Sequence, residues 1–142
     1  MSNNPFGTAL VAALLLGCVG CGDGKPQGEL PPLHPVRGKA LRGGTPLTTG
    51  LLRFTPSPET LESRDWLITA EINADGTFEV QSLHSLSQKR GVGAPAGAYR
   101  VNVTISGGDQ TQGGRILNLT LPSPVTVEAK PNDLSLDFPK GR

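Results

Sequence analysis

Cysteine is scarce in this 142-residue chain and confined to one end: Cys18 and Cys21 are the only two, and none follows residue 21. No disulfide can therefore form within the rest of the chain, so a fold there must be stabilised by packing. Net charge is scarce too, because thirteen Lys and Arg offset twelve Asp and Glu to leave +1, with the two signs interspersed. This balance lacks the basic patch that nucleic-acid binding requires, and no nucleic-acid partner is expected.

Long apolar runs are also missing. The longest, residues 9–17, is far shorter than the roughly 20 residues that a membrane-spanning helix needs. It matches instead the apolar segment of a signal peptide, which a small-residue cleavage site follows. Leu15-Leu16-Gly17-Cys18 resembles the lipobox of bacterial lipoproteins, where the cysteine is lipidated and the chain is cut just before it. We expect a signal-peptide helix over residues 1–17 and lipidation of Cys18, with Cys21 in Cys18-Val19-Gly20-Cys21 as the alternative.

Positive charge is absent from residues 2–17, although signal peptides usually begin with Lys or Arg. A wrongly assigned start codon would account for this difference, and an ordinary secreted protein with a cleaved leader is the alternative interpretation. The lipobox resemblance implies a diacylglyceryl thioether and often a third acyl chain such as palmitate. Two or more acyl chains attach a protein stably, whereas one does so only marginally. The predicted location is the cell envelope, lipid-anchored to a membrane, with the domain facing the periplasm or the exterior.

Glycine and proline, in contrast, are abundant, and they separate short apolar runs instead of forming one low-complexity block. Residues 18–33 hold little that is apolar and are predicted to be a flexible tether. Over residues 34–142 apolar side chains alternate with polar ones, the period of a half-buried strand. The alternating inward positions are Val36, Gly38, Ala40, Leu52, Phe54, Trp66, Ile68, Ala70, Ile72, Phe78, Val80, Tyr99, Val101, Val103, Ile105, Leu117, Leu119, Leu121, Val125, Val127, Ala129, Leu134, Leu136 and Phe138.

Turn signals separate these runs at near-regular spacing, and residues 83–97 form the longest irregular connection. The chain has no helical periodicity after the signal peptide. About seven short strands in this arrangement predict an all-β domain, a seven-stranded antiparallel sandwich.

Three segments of this domain carry recognisable motifs. The first is Val36-Arg-Gly-Lys-Ala-Leu-Arg-Gly-Gly-Thr-Pro-Leu47 followed by Gly50-Leu-Leu-Arg-Phe54. The second is the tight turn Asn73-Ala-Asp-Gly-Thr-Phe78, and the third is Gly93-Ala-Pro-Ala-Gly-Ala-Tyr-Arg-Val101, which leads into a strand. In order and spacing they resemble carboxypeptidase regulatory-like, transthyretin-like domains over residues 35–138. Joined to the lipobox, the chain resembles the transthyretin-like lipoproteins of planctomycete-type bacteria. The resemblance implies a Greek-key sandwich of transthyretin-like or immunoglobulin-like type, and it implies no activity.

Histidine is as scarce as cysteine, and only His34 and His84 offer an imidazole base. His84 stands between Ser82 and Ser85, but adjacent residues on a strand face opposite ways, so we interpret it as a solvated loop residue. The transthyretin-like fold includes hydroxyisourate hydrolases, which end in a Tyr-Arg-Gly-Ser-type tail, whereas this chain ends in Asp137-Phe-Pro-Lys-Gly-Arg142. We assign no catalytic residue and keep a small hydrolase of that branch as an alternative.

Metal ligands are equally few. Asn73, Asp75 and Gly76 resemble the start of a calcium loop, yet the twelfth position counted from Asn73, where such a loop needs glutamate, is His84. We interpret these residues as a hairpin turn. Two distant histidines are too few for zinc. No metal and no cofactor is expected.

Aromatic residues make up only 4% of the chain. Trp66 and Tyr99 are the residues that would form a sugar-stacking platform, but so few aromatics favour placing both in the core, with the Tyr99 hydroxyl hydrogen-bonded. The predicted function is a non-catalytic module that binds or scaffolds an envelope protein or glycan. A strand edge or the connections at residues 56–65, 83–97 and 107–114 would form its binding surface. A carbohydrate-binding module is a further alternative.

Overall fold

Strands account for nearly all regular structure in the computed structural model, which describes residues 30–60, 62–107 and 114–140. The predicted signal peptide, Cys18, Cys21, residues 18–29 of the predicted tether and residues 108–113 lie outside these ranges. One 3₁₀ helix, Glu62–Asp65, precedes the fifth strand. The strands are β1 (Leu33–His34), β2 (Val36–Arg42), β3 (Thr45–Pro46), β4 (Leu51–Pro56), β5 (Trp66–Glu71), β6 (Thr77–Glu79), β7 (Gln81–His84), β8 (Lys89–Val92), β9 (Ala94–Pro95), β10 (Gly97–Gly107), β11 (Arg115–Thr120), β12 (Val125–Val127) and β13 (Asn132–Phe138).

The strands form two main sheets and one small strand pair. The larger sheet has the order β11–β10–β4–β5–β7–β8, with β12 also paired to β10. The smaller sheet has the order β13–β2–β3, with β6 also paired to β2, and β1 pairs separately with β9. The predicted all-β antiparallel sandwich is confirmed. None of the residues that the structure describes belongs to a helix long and apolar enough to cross a membrane.

One hydrophobic core lies between the two sheets. Because successive side chains of a strand point to opposite faces, every second side chain enters this core. Val36, Gly38 and Ala40 of β2 are buried in this way, and β10 shows the same alternation from Tyr99 onward. The fully or nearly buried members are Val36, Ala40, Leu52, Phe54, Ile68, Ala70, Ile72, Phe78, Val80, Ala94, Tyr99, Val101, Val103, Leu119, Val127, Leu136 and Phe138. Most predicted inward positions are therefore confirmed. Ala129 is an exception, since β12 ends at Val127 and leaves Ala129 exposed.

The prediction of an irregular connection at residues 83–97 is wrong, because most of these residues belong to strands. β7 and β8 pair as a hairpin, from Gln81 opposite Val92 to His84 opposite Lys89. β8 has no apolar alternation because it is an edge strand with exposed side chains, so its sequence carries no period-two signal. The further short strands β1, β3 and β9, of two residues each, raise the strand number above the seven expected.

The last strand pairs in parallel with the first long one, although the prediction assigned only antiparallel neighbours. Residues 132–138 of β13 align with residues 36–42 of β2 in one register. β13 follows β12, which belongs to the larger sheet, so the chain crosses between sheets before it reaches β2. Gly38 permits this approach, because a Cβ built there would overlap the carbonyl oxygen of Leu134.

Candidate functional site

A groove of about 690 Å³ opens where several strand ends meet. Four parts of the chain line it: residues 30–31 before β1, the β4–β5 connection with the start of β5, the end of β7, and the β9–β10 connection. These parts include two of the connections predicted to carry a binding surface, at residues 56–65 and 83–97. The pairing of β5 with β7 sets Trp66 opposite His84, so the start of β5 and the end of β7 both reach the groove.

Trp66 begins β5 and forms one wall of the groove. It is half-buried and packs against the core, which agrees with the predicted core position. Its remaining surface lines the groove, so the residue serves both as core edge and as groove wall. The ring of His84, its cross-strand partner, meets the indole edge-to-face with the centroids 5.0 Å apart.

His84 is not the solvated loop residue that the sequence predicted, since it ends β7 and is half-buried. The Ser87 backbone N–H donates to His84 Nδ1 at 3.3 Å, and Ser87 Oγ lies 2.9 Å from the same nitrogen. Because a backbone N–H can only donate, Nδ1 accepts, and the neutral ring carries its proton on Nε2. The other two serines are bonded elsewhere: Ser82 Oγ donates to the Gly93 carbonyl and Ser85 Oγ to the Asp65 carbonyl. His84 is thus a groove residue with an N–H donor.

Tyr99, near the start of β10, is also part of the groove lining. Its side chain is almost fully buried, and its hydroxyl donates to the Pro95 carbonyl oxygen at 2.6 Å. Burial raises the pKa of Tyr99 to about 12. The predicted core position and hydrogen-bonded hydroxyl are confirmed. The bond ties the β9–β10 connection, which lines the groove, to the hydrophobic core.

The β4–β5 connection is held by its own hydrogen bonds. The Ser63 backbone N–H donates to Thr60 Oγ1 at 3.1 Å, and the Thr60 backbone N–H donates to Ser63 Oγ at 2.7 Å. The Ser85 backbone N–H donates to the Asp65 carbonyl at 2.7 Å, which joins this connection to the β7–β8 hairpin. Glu62 and Asp65 place the only carboxylates on the groove lining within the described residues.

The remaining residues singled out from the sequence lie elsewhere. His34 is in β1 and pairs with Ala94. The predicted hairpin turn around Asp75 is confirmed: Asp75 Oδ1 accepts from the Thr77 hydroxyl at 2.6 Å and from the Thr77 backbone N–H at 3.0 Å. These hydrogen bonds, the hydroxyl first, lower the pKa of Asp75. Across residues 30–60, 62–107 and 114–140, no three His, Cys, Asp or Glu side chains converge as metal ligands would.

Comparisons with known proteins bear on the fold alone. No family model and no curated protein matches the sequence. Among solved structures, the fold is similar to a chain from Pseudomonas aeruginosa that bears the name "putative carbohydrate binding protein", at 14% sequence identity and a TM-score of 0.42. The similarity covers 74% of this chain and 88% of that chain. A likeness at this level carries no conclusion about what the present chain binds.

Proposed function

We propose that the sandwich is a non-catalytic binding module and that the groove beside Trp66 is its ligand site. The best support is that one concavity combines the half-buried ring of Trp66 with polar side chains from separate segments of the chain, such as Glu62 and His84. Its volume, about 690 Å³, exceeds that of two other depressions, about 450 and 370 Å³. Ligand sites are typically concavities of about 300–1,000 Å³ with mainly apolar walls and a few polar groups.

Trp66 is the only tryptophan, so its fluorescence reports on the groove without interference. Envelope material solubilised in detergent would be passed over the immobilised protein, and the retained fraction then tested for a change in Trp66 emission. Trp66→Ala should abolish retention, because it removes the aromatic wall. Leu67→Ala is the matched control, since Leu67 is 42% exposed, adjacent in sequence and outside the groove lining. Equal retention by wild type and Trp66→Ala would contradict the proposal.

A carbohydrate-binding module is a second candidate, supported by the exposed part of the Trp66 indole in an open groove. Sugar rings stack on such faces because both surfaces are flat and apolar. Neutral oligosaccharides should then quench or shift Trp66 emission in a saturable way. A linear, non-saturating response would argue against this candidate.

The anchor is a separate proposal: lipidation at Cys18, or at Cys21, would hold the module at a membrane of the cell envelope. Residues 30–31, the first that the structure describes, lie on the groove lining. The predicted tether would therefore join the domain beside the ligand site. Mass spectrometry of the mature amino terminus tests the anchor, and an unmodified terminus at any other residue would contradict it.

A further inference from the structure

The groove has an uneven charge. Its lining carries two carboxylates, Glu62 and Asp65, and no lysine or arginine. Arg64, which lies between them, is turned to Glu59, with Nε 3.5 Å from the Glu59 carboxylate, and it does not line the groove. Within the described part of the chain, neither Glu62 nor Asp65 takes part in a salt bridge. The groove therefore presents net negative charge to whatever enters it.

An aromatic wall beside that charge adds a second attraction for cations. The face of an indole is the strongest of the aromatic side chains in attracting ammonium and guanidinium groups. Trp66 is half-buried, and its ring position is fixed by the core and by the edge contact to His84 at 5.0 Å. A cation in the groove would thus meet a preorganised aromatic wall and two carboxylates, whereas an anion would meet like charge.

We infer that the groove binds a basic peptide segment, with a lysine or arginine side chain placed against Trp66 and near Glu62 and Asp65. This inference rests on the proposed binding function of the groove. A volume of about 690 Å³ leaves room for backbone on both sides of one such side chain. The prolines on the lining, Pro56, Pro58 and Pro95, offer apolar walls for the methylene stem, while the charged head remains at the carboxylates.

The test uses the full chain in detergent and three acetylated peptides that differ at one residue type. The first alternates lysine with proline, and the other two replace lysine by glutamine or by glutamate. The lysine peptide should shift Trp66 emission with a Kd at least about tenfold lower than the glutamine peptide, and the glutamate peptide should not bind. Added salt should weaken the binding of the lysine peptide and leave that of the glutamine peptide unchanged, because salt screens charges that are exposed to solvent, as in an open groove.

Variants then locate the charge effect. Glu62→Gln and Asp65→Asn should each raise the Kd of the lysine peptide about three- to tenfold and leave that of the glutamine peptide unchanged. Asp65→Asn keeps the backbone carbonyl that accepts the Ser85 N–H, so we expect the fold to persist. An unchanged unfolding midpoint would show this. Glu71→Gln is the matched control: Glu71 ends β5, lies outside the groove lining and takes part in no salt bridge of the described residues, so the Kd should stay unchanged.

Four outcomes would overturn the inference. Equal affinity for the lysine and glutamine peptides, or an unchanged Kd in the Glu62→Gln, Asp65→Asn double variant, would remove the charge selectivity while leaving a groove ligand of another kind. Spermidine binding at least as tightly as the lysine peptide would remove the assignment to a peptide. If neither peptides nor neutral oligosaccharides perturb Trp66, the proposed function of the groove fails as well.

Discussion

Tyr99 is the only tyrosine of the chain, so its ionisation is observable in isolation. Burial raises its pKa from 10.0 to about 12, which means that the folded state favours the protonated phenol. The corresponding stability is complete below pH 10.0 and is lost as the pH rises to about 12. We expect Tyr99→Phe to lower the unfolding free energy at neutral pH by about 1 kcal/mol, through loss of the bond to Pro95.

The same substitution should also flatten the alkaline part of the stability profile, because phenylalanine has no proton to lose. Urea unfolding of both proteins at neutral pH and between pH 10.0 and about 12 measures this, and phenolate absorbance follows the titration directly. A folded-state phenol that titrates at its ordinary value would contradict the prediction. All other titratable groups are common to both proteins, so the difference isolates Tyr99.

Asp75 gives a second prediction at the scale of one residue. The Thr77 hydroxyl and then the Thr77 backbone N–H stabilise its carboxylate and hold its pKa below 3.8. The stabilisation is present above the unfolded pKa and disappears as the pH falls through the lower, folded value. Thr77→Val should raise the pKa of Asp75 toward 3.8, whereas Thr77→Ser should leave it low. Carboxyl NMR titration measures the pKa, and equal values in the two variants would refute the role of the hydroxyl.

At the scale of the elements, the contact between β2 and β13 sets a steric test. A Cβ on Gly38 would overlap the Leu134 carbonyl oxygen, and backbone cannot move aside as a flexible side chain can. We expect Gly38→Ala to lower the unfolding free energy by at least about 2 kcal/mol. Gly107→Ala is the control, because its nearest neighbour would be at an ordinary 3.9 Å, and it should change stability by less than about 0.5 kcal/mol. Equal unfolding midpoints would show that β13 does not approach β2 this closely.

The elements also show what alternation can and cannot predict. Strands buried on one face, such as β2 and β10, were predictable because the core imposes period two on their sequences. β8 was missed because its side chains are exposed, and the short strands β1 and β9 because two residues carry no period. The parallel pairing of β13 with β2 depends on a crossover between sheets, which local pattern does not encode.

The candidate site was predictable only in part for the same reason. The connections at 56–65 and 83–97 were expected to carry a binding surface, and both contribute to the groove. The sequence placed Trp66 in the core, which is correct for one side of its ring. Its groove side follows from pairing with His84 across β5 and β7, and β7 ends inside the connection that was predicted to be irregular. The excess of three carboxylates over one arginine in 56–65 was the available signal for the site's charge.

At the scale of the whole molecule, the core and the cysteines belong to different parts of the chain. Among the residues that the structure describes, the buried core lies between Val36 and Phe138, whereas Cys18 and Cys21 precede the described residues. Replacing both cysteines by serine in the full chain should therefore change the unfolding free energy by less than about 0.5 kcal/mol, and reductant should have no effect. Urea unfolding with and without reductant measures this. A loss of stability on reduction would show that a disulfide supports the fold.

Membrane attachment, unlike stability, should be lost when the lipidated cysteine is replaced, because lipid on that one sulfur would supply all of the membrane affinity. Detergent-phase partitioning of cells that express each variant measures this. We expect Cys18→Ser to move the protein to the aqueous phase and Cys21→Ser to leave it with the detergent; the reverse result would assign the lipid to Cys21. Partitioning that neither replacement alters, nor the two combined, would place attachment outside the cysteines. If a cysteine replacement changes partitioning while the unfolding free energy stays constant, the anchor and the fold are independent properties of the chain.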